Sequence, residues 1–328
     1  MTIKTKFAAA LAAALAVGAT AGTAFAQSAY PDRAVKIIVG YAPAGPVDII
    51  ARVMSDKLAQ IWGKPVVVEN IPGAGGNISG DRVAKSKPDG YTLLMGSNAL
   101  LAINPSLYSH MSFDPNKDLI PISEAVYSPN ILVVPPSVPA KSVQELVDYA
   151  RAHPGKLTFG SAGVGTTQHL AGELFKAMTH LDIQHVPYRG ASPVITDLLA
   201  GRLTMFFGAI APLLPLVHQG KVRALAVTSP KRFAAVPELP TMIELGYPGF
   251  VSILSIGLMA PAGTPPDVIE KIHQGSVKVL AMPDVREKLN KIGMEVVANS
   301  PVEFKAAIDA ERPQWAKIIK EAGIAASH

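Results

Sequence analysis

The chain has 328 residues, of which 49 % are apolar and 17 % charged, which is more than one compact core usually holds and gives two domains as the prior. Its formal net charge of +5 is too mild to imply nucleic acid, and no Lys/Arg cluster exceeds the adjacent pair Lys231-Arg232, which argues against a polybasic membrane or heparin patch. There is no cysteine, which excludes disulfides and a lipid attachment point, makes a structural zinc site improbable, and leaves cohesion to the core alone.

Lys4 and Lys6 precede an apolar run from Phe7 to about Ala19, and Ala24-Phe25-Ala26 stands in front of Gln27. A cationic start, an apolar stretch too short to span a bilayer and an A-x-A cleavage site predict a secretory signal peptide over residues 1–26. Its removal takes away two lysines, so the charge of +5 falls to +3. No later apolar stretch reaches the roughly 20 residues of a transmembrane helix. The mature chain is expected to be soluble and to work outside the cytoplasm.

Beyond the leader, apolar strand-like runs alternate with amphipathic helical patterns, the grammar of an α/β architecture with parallel sheets. Val35–Val39 is a β-branched run closed by the Gly/Pro loop 40–46. A helix follows, with apolar Ile49, Ile50, Val53, Leu58 and Ile61, Pro46 near its start and Gly63 past its end. Residues 65–69 read as the next strand, Gly73-Ala74-Gly75-Gly76 opens a helix over 77–85, and 91–95 is a third strand ending at Gly96-Ser97-Asn98. Further strands are predicted at 131–134, 157–160, 183–186, 203–207 and 224–228, interleaved with helices at 142–152, 166–179, 192–200 and 211–219. The proline-rich segment 229–248 reads as a connection and 252–261 as a strand. The tail reads as two helices, 266–281 and 301–322, around a small strand at 294–297. Two α/β lobes joined by crossovers near 121–127 and 250–254 are expected: 27–125 with 252–328 as one lobe, 126–251 as the other.

In open α/β sheets ligands bind beyond the carboxyl ends of strands, at the turns that lead into helices. Two such turns stand out, Tyr41-Ala42-Pro43-Ala44-Gly45-Pro46-Val47-Asp48 and Ser161-Ala162-Gly163-Val164-Gly165-Thr166-Thr167. Each joins a flexible or side-chain-free backbone to a helix N-terminus, where amide N–H groups and the positive end of the helix dipole hold a carboxylate without arginine. Ser161, Thr166 and Thr167 add hydroxyl donors. Taken singly, either turn is equally well read as a tight turn with an N-cap, and Asp48 and Asp197 as carboxylates that steady a turn.

Signatures of catalysis and nucleotide binding are missing. Ser161 lacks the G-x-S-x-G setting, His169 eight residues later reads as an ordinary helix-face histidine, and Ile78 stands where a third glycine of G-x-G-x-x-G belongs. No H-E-x-x-H or paired ligand spacing occurs among the eight histidines. No cofactor, metal or catalytic residue is expected.

The motifs carry a specific resemblance over essentially the whole mature chain. Tyr-Pro-Asp-Arg at 30–33, Ala-Gly-Pro-Val-Asp-Ile-Ile-Ala-Arg at 44–52, Val-Glu-Asn-Ile-Pro-Gly-Ala-Gly-Gly-Asn at 68–77 and Pro-Asp-Gly-Tyr-Thr-Leu-Leu at 88–94 come first. Ala-Ile-Asn-Pro-Ser-Leu-Tyr at 102–108, Ser-Ala-Gly-Val-Gly-Thr at 161–166, His-Val-Pro-Tyr-Arg-Gly at 185–190, Asp-Leu-Leu-Ala-Gly at 197–201 and Ala-Pro-Ala-Gly-Thr-Pro at 260–265 follow. In this order they resemble the periplasmic solute-binding proteins of tripartite tricarboxylate transporters, the Bug receptors. The resemblance implies a two-lobe Venus-flytrap with a mixed, mostly parallel sheet in each lobe. Such a protein is a periplasmic monomer that closes over a small carboxylate and delivers it to a membrane permease of one large and one small subunit. It also implies that the loops Tyr41 to Asp48 and Ser161 to Thr167 clasp the carboxylate, with Ser97 and Asn98 on the cleft side. Tyr188, in the His-Val-Pro-Tyr-Arg-Gly stretch, is included in the expected site.

Departures from the family pattern bear on the ligand. Ala44-Gly45 replaces the usual Gly-Gly, Val47 replaces a hydroxyl, Ser255 stands where an aromatic residue is frequent, and Gly208-Ala209-Ile210 where an aspartate is common. These changes exchange a ring and a charge for space and apolar surface, so Ser255 and Ala209 predict a ligand larger and more apolar than a C4 dicarboxylate, an aromatic mono- or dicarboxylate. The alternative functions are a secreted hydrolase using Ser161 and a receptor that presents its ligand to a sensor kinase.

Overall fold

The run Val35–Val39 forms β1, flanked in parallel by β2 (Val66–Asn70) and β3 (Thr92–Ser97). The computed structural model describes residues 30–188 and 190–325, so the expected signal peptide lies outside them. All elements fall in the compact unit that begins at Arg33. The remaining strands are β4 (Leu119–Val134), β5 (Leu157–Ser161), β6 (Ile183–Pro187), β7 (Met205–Ala209), β8 (Arg223–Val227), β9 (Ile253–Pro261) and β10 (Glu295–Val296). They follow the order β2-β1-β3-β9-β4-β7-β5-β6, with β8 and β10 also on β4.

The sheet is mixed. Its outer blocks, β2-β1-β3 and β6-β5-β7, are parallel, as strand–helix–strand crossovers require. Its centre is antiparallel, because β9 returns between β3 and β4. The crossover expected near 121–127 is part of one 16-residue strand. Residues 119–129 of β4 pair with β9, and 130–134 pair with β7 and β8. Thus β4 belongs to both halves of the sheet and passes between them at Pro129-Asn130. Register shifts near Pro121 and Glu124 absorb the proline, which cannot donate to a ladder.

Helices α1 (Pro46–Trp62), α2 (Asn77–Ala84), α3 (Asn104–Leu107), α4 (Pro115–Asp118), α5 (Val143–Ala152), α6 (Thr167–Thr179), α7 (Ala191–Leu199), α8 (Ile210–His218), α9 (Pro266–Leu280), α10 (Pro283–Lys291) and α11 (Pro301–Glu321) cover the sheet. A wider helical turn, Ala99–Ile103, leads into α3, where Pro105 has no N–H to continue a tighter pattern. Helix α11 starts in a full capping box between Ser300 and Glu303. It buries Phe304, Ile308, Trp315, Ile318 and Ile319 in a core shared with Leu100–Leu107 and with Leu170, Leu174 and Phe175 of α6. A second core lies under α7 and α8, around Val194, Leu198, Phe206 and Leu213.

Candidate functional site

The first turn leaves β1 and enters α1 with its ionic support behind it. Asp48 is 2 % exposed and accepts from the Ala44 amide (2.9 Å), Arg52 Nε (2.9 Å), Arg52 Nη2 (3.0 Å) and Asn70 Nδ2 (2.9 Å). These bonds, the one from Arg52 foremost, hold its carboxyl down to about 2 against the opposing effect of burial. Asn70 also donates to Tyr41 O (3.1 Å). Asp48 is thus engaged inside its own turn. The α1 N-cap, Gly45, offers no side-chain cap and Pro46 has no N–H, so the amides of Val47 and Asp48 are the helix-start donors left for a guest. Ala44 sits at φ 63°, in the left-handed region where glycine is at ease and alanine is not.

Tyr41, Ser97 and the glycine turn after β2 form the floor. The hydroxyls of Tyr41 and Ser97 share a 2.6 Å hydrogen bond, and Tyr41 donates to Gly75 O at 3.2 Å. Asn104 of α3 donates to the same Gly75 O (3.1 Å) and to Asn77 Oδ1 (2.7 Å). Burial raises the Tyr41 phenol, so it stays a neutral donor.

Asn98 and Ser255 are buried as well. Asn98 donates to Ile253 O (3.1 Å) and Glu311 Oε2 (2.8 Å) and accepts from the Ser255 amide (3.2 Å). The Ser255 hydroxyl is bonded to Glu124, and the residue is 3 % exposed. Trp315 Nε1 also donates to Glu311 Oε2 (3.3 Å). Burial pushes the Glu311 carboxyl up to about 7, with the charge of Glu124 adding to it. Burial likewise raises Glu124, against hydrogen bonds from Ser255 and Asn299. Asn98 and Ser255 therefore tie β3, β9 and α11 together.

The second turn, between β5 and α6, is satisfied mostly within itself. Thr166 caps α6 by accepting from the His169 amide (3.4 Å) and donates to Gly163 O (2.7 Å). Ser161 is fully buried, and its hydroxyl accepts from the Gly163 amide (3.3 Å) and meets His185 Nε2 at 2.7 Å. The Gly165 amide turns inward to His169 Nδ1 (3.1 Å). The amides of Val164, Thr167 and Gln168 are the remaining donors, and the Val164 side chain is exposed. Tyr188 sends its hydroxyl to Asp197 (2.7 Å), with burial and that carboxylate pushing the phenol up to about 12, and Asp197 pairs with Arg202. Ala209 ends β7 and is the N-cap of α8, a helix start that, like that of α1, has no side-chain cap.

Both turns are linked to α3, the second directly and the first through Gly75. A Cβ on Gly165 would come 2.4 Å from Leu107 Cδ2, so the second turn rests on α3. One helical turn earlier on α3, Asn104 holds the Gly75 carbonyl that Tyr41 also grips. Sequence reasoning passed over Asn104, Asn70, Glu124, Glu311 and, above all, His185. Parallel pairing sets Ser161 opposite Pro187, so His185, two residues back, shares the face of the serine. That signal is legible only once the register is known.

This architecture, strand-to-helix turns on a mixed sheet whose halves share the central strand β4, is the α/β fold of periplasmic binding proteins. A Rhodopseudomonas palustris protein, Rpa4515, solved with adipate, is 36 % identical with a TM-score of 0.76, covering 90 % of this chain and 99 % of that one. MatC (Rpa3494) of the same species, solved with malate, is 30 % identical with a TM-score of 0.72, covering 88 % of this chain and 100 % of that one. Protein BugT of Bordetella pertussis is 37 % identical over 308 residues, 93 % of this chain and 94 % of BugT. The profile of the tripartite tricarboxylate transporter family receptors matches residues 50–324. The chain belongs to that family of solute-binding receptors.

Proposed function

We propose that this protein is a periplasmic receptor that captures a small carboxylate between the two halves of its sheet and delivers it to a tripartite tricarboxylate-type permease. The observation that carries the reading is the convergence of the two turns on α3, Gly165 against Leu107 and Tyr41 with Asn104 on Gly75 O. This shared support favours a site with one set of helix-start amides on each wall, each an anion-binding end. The two lobes divide along β4 at the Pro129-Asn130 passage, with β4 and β9 as hinge strands. The ligand selects the closed form because only there can it reach both turns.

Ligand size turns on Ser255 and Ala209. The Ser255 hydroxyl is engaged by Glu124 in a 3 % exposed position, so the small side chain there opens little space, and of the two positions only Ala209 still argues for a ring. An aliphatic carboxylate is therefore the first choice and an aromatic one the finer alternative. A thermal-shift series of the ligand-stripped protein with aliphatic and aromatic mono-, di- and tricarboxylates decides between them. A ligand at 100 times its dissociation constant adds about 2.7 kcal/mol. A shift confined to aromatic acids reverses the order of preference, and no shift with any acid sinks the carboxylate reading.

A hydrolase needs a base on Ser161, and His185 at 2.7 Å is one. Yet Ser161 is fully buried beneath its turn and its oxygen already accepts from Gly163, which denies it to an ester. Turnover of a chromogenic ester that disappears in Ser161→Ala would overturn this.

A further inference from the structure

Beneath the second turn lie two buried or part-buried histidines, His169 and His185. His169 of α6 and His185 of β6 stack with ring centroids 3.9 Å apart and planes at 18°, and His185 stacks in turn on Phe159 at 4.8 Å. His169 Nδ1 accepts from the Gly165 amide (3.1 Å), and His185 Nε2 bonds the Ser161 hydroxyl (2.7 Å). An imidazole nitrogen accepts only when unprotonated, so the first bond fixes His169 as the neutral tautomer with its proton on Nε2. That N–H faces Glu173 Oε1 at 3.9 Å, and Lys176 Nζ already engages both Glu173 oxygens, Oε1 at 3.1 Å and Oε2 at 3.0 Å. Burial foremost, then the charge of Lys176 and, for His169, its partner ring, bring the histidines down to about 3 and about 4. Both rings are neutral wherever the protein is folded at ordinary pH.

We propose that His169 and His185 are positioning residues of the carboxylate-binding turn. Nδ1 of one and Nε2 of the other tie the Gly165 amide and the Ser161 hydroxyl inward, which leaves the amides of Val164, Thr167 and Gln168 for the ligand. This rests on the reading of that turn as a carboxylate site.

The two anchors use different ring nitrogens, and that makes the proposal separable from plain packing. An asparagine amide reaches the place of Nδ1, a glutamine amide the place of Nε2. His169→Asn and His185→Gln therefore keep the anchors, whereas His169→Gln and His185→Asn lose them. Hydrogen exchange of the Gly165 and Gly163 amides is measured in all four purified variants, each checked for a cooperative melt. Loss of one such bond corresponds to about ten-fold faster exchange, so the expected outcome is near wild-type exchange in the first pair and about ten-fold faster exchange in the second. The same rank order of Asn and Gln at both positions, or unchanged exchange throughout, overturns the proposal. Should His169→Gln not fold, the His185 pair carries the test. Adipate and malate are then added as probes to the wild type and the variants. A melt shift kept in the first pair and lost in the second supports the link to binding. Neither probe shifting any variant, with the crossed exchange pattern present, leaves the anchors standing and removes the carboxylate reading of the turn for these acids.

Discussion

The two strand-to-helix turns do the same structural job by opposite electrostatic means. The turn at 41–48 is braced by a full charge, the Asp48 carboxylate between Arg52, Asn70 and the Ala44 amide. The turn at 161–167 is braced by neutral groups, Thr166 as N-cap and two uncharged imidazoles. The first has a charged brace it can afford because Arg52, half exposed, compensates Asp48 at the helix edge. The second is packed against α3 and Phe159, and the charged groups beside its histidines, Glu173 and Lys176, are already paired with each other. Neither turn carries a free carboxylate or a fixed cation.

Removing the charged brace is expected to have the largest effect. Asp48→Ala leaves Arg52 and Asn70 facing one another and frees the Ala44 amide. With Arg52 partly in water, the loss should be about 2–3 kcal/mol in urea unfolding. A loss below about 0.5 kcal/mol would mean that Arg52 and Asn70 re-form the brace alone.

The neutral turn should respond next. Gly165 has φ 79° and touches Leu107, so Gly165→Ala meets both backbone strain and a clash. Strain of about 1–2 kcal/mol is expected from the backbone, plus the cost of displacing a nearly buried leucine. In the double variant with Leu107→Ala the clash disappears and only the strain remains, so the two losses should be less than additive. Strict additivity in a four-protein cycle would mean that the turn does not rest on α3 in solution.

The charge difference also sets an order of failure in acid. Asp48 has a folded value of about 2, below its ordinary 3.8, so its contribution is present above 3.8 and lost as pH falls toward 2. The histidines, at about 3 and 4 against 6.5, contribute fully above 6.5 and are lost as pH falls through 4 to 3. Exchange corrected for its intrinsic pH dependence should therefore open 161–169 at a higher pH than 41–48. Glu311 runs the other way: raised from 4.5 to about 7, it contributes fully below 4.5 and its contribution declines as pH rises to 7. Glu311→Gln removes that opposing slope, and the difference in melting midpoint between variant and wild type should flatten above pH 7. A variant whose pH profile parallels the wild type would take Glu311 out of the buried setting.

Local chemistry made both turns legible in the sequence. Glycine, proline and a helix-start aspartate or threonine act within a few residues, so 41–48 and 161–167 announce themselves. What joins them was not legible. Ser161 and His185 are 24 residues apart and meet only through the β5–β6 register. The long β4 contains Pro121 and Pro129, which read as breaks but sit at a register shift and at the passage between halves. Helix α10 buries little beyond Val285 and Leu289, too few apolar positions to betray a period. Asn98 looks like a cleft residue from its place at a strand end and Ser255 from its place in the family pattern, and only tertiary packing commits them to Glu311 and Glu124.

The smallest effect expected is also the one that touches the comparison at its weakest point. Ala44 occupies a left-handed position in the charged turn, φ 63°, while the neutral turn uses glycines at both of its positive-φ sites, Gly163 and Gly165. An alanine there stores about 1 kcal/mol of strain, which the Asp48 brace holds in place through the Ala44 amide. Ala44→Gly releases that strain but gives the unfolded chain more freedom, worth about 0.4–1 kcal/mol in the other direction. The net change in stability should stay within about 0.5 kcal/mol. Its sign in an Asp48→Ala background is the informative part. If the brace exists to hold a strained turn, Ala44→Gly should be more favourable where the brace is absent than where it is present. Equal effects in both backgrounds would mean that the turn holds its shape without Asp48, and that the contrast between charged and neutral bracing lies in helix capping alone.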